Sequence, residues 1–135
     1  FDVERFISFE GNTGPYNLYT IVRIKSILAK YAESGKDAAK CKMKKPQTQS
    51  EKALMLEVAK FNNVIETAFE ELAPHKICAY IYDLSNAFNR FYHETKIIAE
   101  EDRKKQAGYI SLVTLTRDVL MTCINVLGFS APERM

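Results

Sequence analysis

Tyr16, Tyr19 and Arg23 stand three and four residues apart in the string "PYNLYTIVR". At roughly 100° per residue on a helix, these three fall along one line, which Ser26 and Lys30 continue. Exposed tyrosine rings stack on unpaired nucleobases, and a guanidinium pairs with phosphate or with a base edge. Such stacking is worth about 1–3 kcal/mol per base. The same residues also suit packing against a neighbouring helix, with the hydroxyls left in water. Pattern alone leaves both readings open.

A second candidate chemistry is basic. Lys36, Lys40, Lys42, Lys44 and Lys45 crowd one short stretch. They could attract phosphate without sequence preference, or simply solvate a loop. Other chemistry is thin. His75 and Cys78 suit one helix face, but no second ligand pair completes a metal site. "HETKI" from His93 has Ile97 where a zinc helix of the H-E-x-x-H type needs its second histidine. Glu70-Glu71 and Glu100-Glu101 sit in polar stretches where solvation is the default. No nucleophile elbow, P-loop or dinucleotide fingerprint occurs. No catalytic residue, metal ligand or cofactor site is expected in this chain.

The elements that must position these residues read as helices. Pro15 suits the first position of a helix that runs to about Glu33, where Ser34-Gly35 closes it. Leu18, Ile21, Val22, Ile24, Leu28, Tyr31 and Ala32 form its expected core arc, with Tyr16, Tyr19 and Arg23 opposite. Lys25 projects toward that arc. Residues 35–49 read as a mobile, lysine-rich connector. Ser50 is the expected cap of a helix to about Phe61, and Asn62-Asn63 the break after it. Val64 to Leu72 follows as a short helix with Ile65, Ala68, Phe69 and Leu72 inward. Pro74 opens a long helix with the stripe Ile77, Ile81, Leu84, Phe88 and Phe91. The charged run Glu101 to Lys105 is the expected turn. The last helix, from about Gln106 to Leu127, is apolar on most sides and should be central. No stretch alternates as a strand does. The fold class is all-α, an antiparallel bundle of about five helices.

Composition fits this. The chain has 135 residues, 47% hydrophobic and 27% charged, with net charge +2. That is one domain with a buried core and no global basic field. Three widely spaced cysteines without a CxxC pair argue against a disulfide framework. No run of about 18 apolar residues suggests a membrane span, and no signal peptide layout opens the chain. A reducing, cytoplasmic setting is expected.

Three strings carry a family resemblance. "FEGNTGPYNLYTIVRIKSIL", "EELAPHKICAYIYDLSNAFNRFYH" and the terminal "LGFSAPERM" together resemble arginyl-tRNA synthetases, in family order and across nearly the whole chain. The resemblance implies the C-terminal helical anticodon-binding domain of the DALR type. Residues 1–13 would then be a strap from a catalytic domain, and residues 14–135 the helical domain. Arginine tRNA and that catalytic domain are the implied partners, in a monomeric enzyme. ATP and Mg²⁺ belong to the catalytic domain and not to this one. The family's anticodon-loop contacts match Tyr16, Tyr19, Arg23 and Met135. Asn89 and His93 lie in a strongly patterned stretch where RNA contact and packing are not separable. Lys40, Lys42, Lys44 and Lys45 would add unspecific phosphate contacts. Leu18 stands where the family commonly has Gln, which removes a hydrogen-bonding group. The rival to RNA recognition is a helical protein-interaction module, since aromatics also anchor protein interfaces.

Overall fold

The computed structural model describes residues 13–127. It contains five α-helices: α1 (Thr13–Glu33), α2 (Gln49–Ala59), α3 (Phe61–Glu70), α4 (Pro74–Glu94) and α5 (Arg103–Val126), with a short 3₁₀ turn at Ala38–Lys40. No strand occurs among the described residues. The class is all-α, as expected.

The helix ends follow local chemistry. α1 begins two residues before Pro15, which still lies in the first turn, where its missing N–H removes no internal bond. Gly35 closes α1 with φ +84°, the left-handed conformation that glycine adopts without strain. The cap of α2 is Thr48, not Ser50: its side chain accepts from the Glu51 N–H. The break expected at Asn62-Asn63 falls instead at Lys60, and both asparagines begin α3 exposed. α3 ends in a Schellman motif. Ala73 N–H donates to Ala68 O at 2.9 Å and Leu72 N–H to Phe69 O at 3.3 Å. Leu72 takes the left-handed position there, at φ 53°. α5 begins at Arg103, three residues earlier than expected, because the Asp102 side chain caps the N–H groups of Lys104 and Lys105.

α4 is the hub, touching each of the other four helices. Its stripe Ile77, Ile81, Leu84, Phe88 and Phe91 is buried throughout. α5 supplies Ile110, Leu112, Val113, Leu120 and Ile124 to the same core, while Leu115 is exposed. By length and composition α5 is apolar enough to cross a membrane, but half of that stretch is buried inside the bundle. Its apolarity is therefore accounted for by the core. The Tyr80 hydroxyl donates at 2.6 Å to Glu57 O, a carbonyl in the last turn of α2 that also accepts from the Lys60 N–H at 3.1 Å. Burial pushes this phenol up from its ordinary pKa.

Two expected inward faces are corrected. On α1, Val22 is 51% exposed and Ala32 is exposed, whereas Asn17, Thr20 and Ile27 are buried with Ile21, Ile24 and Tyr31. The buried sector is rotated because α1 packs on both α4 and α5. On α3, Ala68 is buried, but Phe69 is 63% and Leu72 87% exposed. The Schellman turn swings Leu72 away from the core and buries Ala73 instead.

The lysine-rich connector, expected to be mobile, is tied down at several points. Lys36 Nζ donates to Gln106 Oε1 at 2.6 Å. The Tyr31 hydroxyl and Cys41 Sγ meet at 3.3 Å, and that contact first, then burial, pushes the Tyr31 pKa up to about 12. Lys44 runs so close over Gly108 that a Cβ there would lie 3.2 Å from its own Cβ. The same Gln106 donates to the carbonyls of Ile97 and Ile98, fixing the link between α4 and α5.

Candidate nucleic-acid interface

The sequence-marked residues of α1 and α4 meet in one hydrogen-bonded cluster. Asn86, Asn89 and His93 recur at steps of three and four along α4, which gives them one face. Asn89 is the centre of the cluster and only 7% exposed. Its Nδ2 donates to the Tyr16 hydroxyl and to Thr20 Oγ1, each at 2.9 Å. Its Oδ1 accepts from Arg23 Nη1 at 2.6 Å. The amide's two donors and its acceptor are therefore all engaged, as a buried amide requires. The Tyr16 hydroxyl donates in turn to Asn86 Oδ1 at 2.8 Å, and its ring leans on Tyr82 at 5.9 Å.

Arg23 is held from three sides. Besides Asn89, its Nη2 donates to the Tyr19 hydroxyl at 2.9 Å. Its Cζ lies 4.7 Å from the Tyr19 ring centroid and 4.4 Å from that of Tyr92. Cation–π contact with two rings fixes a guanidinium that is still partly open to solvent. Two of its five N–H donors are engaged in these bonds, which leaves donors for an incoming acceptor. Tyr19 is 55% exposed. Its hydroxyl is anchored while much of its ring faces outward.

The two tyrosines thus divide the roles between them. Tyr16 is half-buried and locks α1 to α4; Tyr19 presents an aromatic surface beside a fixed cation. His93 is exposed one turn beyond Asn89, and its ring meets Tyr92 at 5.6 Å. Thr20, Tyr82, Asn86 and Tyr92 belong to the cluster and were not singled out from the sequence. Their spacing from Asn89 on α4, and from Tyr16 on α1, is the helical signal that could have found the three nearest. Met135 lies outside the described residues, as do residues 1–12 of the strap expected over residues 1–13, whose last residue, Thr13, begins α1.

The basic stretch does not join this cluster. Lys40, Lys42, Lys44 and Lys45 are exposed, but they follow the far end of α1. Arg23 and Gly35 are separated by about 18 Å of helix. Among the described residues, no group of three His, Cys, Asp or Glu could hold a metal ion. His75 is exposed whereas Cys78 is buried, and burial pushes the Cys123 thiol up to about 12.

Comparison with known proteins agrees with this architecture. The chain is 61% identical over 137 residues to an arginine–tRNA ligase of Agathobacter rectalis, covering all of this chain and 23% of that protein. It is 53% identical over 135 residues to the arginine–tRNA ligase of Alkaliphilus oremlandii, again with 23% of the relative covered. The chain therefore spans about a quarter of the length of the curated relatives it matches. In fold it resembles a crystal structure from Campylobacter jejuni assigned as an arginyl-tRNA synthetase. The TM-score is 0.74 at 24% identity, with 86% of this chain and 25% of that one covered. The model of the DALR anticodon binding domain matches residues 17–135. That match begins within α1 and takes in Tyr19, Arg23 and Asn89, though not Tyr16, so the chain belongs to the DALR anticodon binding domain family.

Proposed function

We propose that this chain is the anticodon-loop recognition domain of an arginine–tRNA ligase, a cytoplasmic and monomeric enzyme that attaches arginine to its tRNA with ATP. ATP and Mg²⁺ act in another part of that enzyme, and no residue of this chain is given a role toward them. The observation that carries the reading is the Tyr19–Arg23 pair: a ring 55% exposed beside a guanidinium fixed in place. Single-stranded loops offer splayed bases that such a ring can stack on. Arg23 supplies a planar fork for phosphate or a base edge. Tyr16 and Asn89 act as positioning residues, holding α1 against α4 so that Arg23 is set before RNA arrives. His93 borders the same face. Met135 completes the loop contacts by family resemblance. Lys40, Lys42, Lys44 and Lys45 add a salt-sensitive attraction away from the bases.

The test is Tyr19→Ala in the full-length enzyme. The KM for arginine tRNA should rise about tenfold, matching the loss of one stacked base, while the thermal melt stays close to wild type. A large melt shift with unchanged charging would show that Tyr19 only packs.

One observation favours a protein contact elsewhere on the surface. Phe69, Leu72 and Val126 are exposed around a cavity of about 230 Å³ at the end of α3. This reading makes the chain a protein-interaction module, and salt separates the two. RNA binding weakens steeply as salt rises, whereas association through that apolar patch does not.

A further inference from the structure

We propose that the groove between α2 and α4 is a second nucleotide site, taking the nucleotide next to the one stacked on Tyr19. The inference rests on the RNA reading above. The groove encloses about 660 Å³, within the range of small-ligand clefts. Leu56, Ala53 and Ala87 give it an apolar floor. Leu56 is 57% exposed there, an apolar surface left open among the described residues.

The rim carries unused hydrogen-bonding groups in a definite order. Asp83, Asn86 and Arg90 line the groove from α4 at steps of three and four residues. They span about 10 Å. Asn86 Oδ1 is occupied by the Tyr16 hydroxyl, so its Nδ2 donors face no described partner. Asp83 and Arg90 form no ion pair among the described residues. The facing pair on α2 is different: Lys60 Nζ bonds Glu57 Oε1 at 2.9 Å and so neutralises that wall. The groove therefore has an acceptor and a donor at one end and a free guanidinium at the other.

That order matches a nucleotide and not a bare anion. The Watson–Crick edge of a base alternates donors and acceptors, which a carboxylate and an amide NH₂ can satisfy together. The apolar floor takes the base face. The guanidinium takes the phosphate. Continuity supplies the rest. Asn86 belongs to both the groove and the Tyr16 cluster, and Arg90 directly follows Asn89, which holds Arg23.

The experiment uses the full-length protein and an arginine tRNA transcript, with affinity read by fluorescence anisotropy. Asp83→Ala and Arg90→Ala should each weaken binding about five- to twentyfold with unchanged melts, since both residues are exposed. On transcripts made abasic at single loop positions, one position beside the Tyr19 base should abolish the Asp83→Ala effect and preserve that of Arg90→Ala. Binding within twofold of wild type for both variants, while Tyr19→Ala loses about tenfold, overturns the groove and leaves the RNA reading standing. If Tyr19→Ala also binds normally, both readings fall. If the groove variants spare tRNA but release a protein partner, the groove is a protein-docking site and the proposal is wrong.

Discussion

Arg23 of α1 donates through Nη1 to Asn89 Oδ1 of α4 at 2.6 Å, across 66 residues of sequence. The same asparagine holds Tyr16 and Thr20 through its Nδ2. Removing it leaves a guanidinium and two hydroxyls short of a partner at a largely buried joint. Asn89→Ala should therefore destabilise the domain by about 2–3 kcal/mol, through lost bonds and exposed vacancies. A shift in the urea midpoint checks this. A midpoint unchanged from wild type would mean that water replaces the amide without loss.

Arg23→Lys keeps the charge but loses the planar fork. A lysine ammonium cannot bond Asn89 and Tyr19 while lying flat between two rings. Stability should fall by about 1 kcal/mol, and affinity for arginine tRNA should fall several-fold at fixed salt. If Arg23→Lys binds like wild type, charge alone is what the site supplies.

Leu72 holds a left-handed backbone conformation at φ 53° while 87% of it is exposed. The side chain adds steric cost there and gains little burial. Leu72→Gly should raise stability by about 1 kcal/mol, since glycine is the usual residue of a Schellman end. A lowered melting temperature would show that Leu72 packs on something in the whole protein.

Asp102 accepts the N–H groups of Lys105 and Lys104 at 3.2 and 2.9 Å. The Lys105 bond first, and then that of Lys104, lowers its pKa below the ordinary 3.8. A lowered folded pKa stabilises above the unfolded value and loses that contribution as pH falls through the folded one. The difference in melting temperature between wild type and Asp102→Ala should hold from neutral pH down to about 5 and narrow below 3.8. A gap that stays constant or widens in acid would refute the cap's ionic character.

The sequence by itself determined the helices and most of their ends. Proline near helix starts, Gly35 after α1 and the stripe Ile77–Phe91 are local signals with local physical causes, and the three family strings give the relationship. The place of Tyr19 across the helix from Ile21 and Ile24 was legible as well, but not whether its ring packs on a neighbour or faces out. Only the tertiary structure decided which of the marked residues work together. Periodicity places Tyr16 and Tyr19 on one line. Contact with Asn86 and Asn89 turns Tyr16 inward and leaves Tyr19 facing out. Val22 reads as core until α4 and α5 together rotate the buried sector of α1 toward Thr20, whose polarity Asn89 satisfies. The lysines and the tyrosines look like one basic-aromatic surface in sequence, yet the connector's Lys44 packs over Gly108 of α5 while Tyr16 and Arg23 bond to α4. A residue's own chemistry sets what it can bind, but the partner helix, far away in the chain, sets whether it is free to do so.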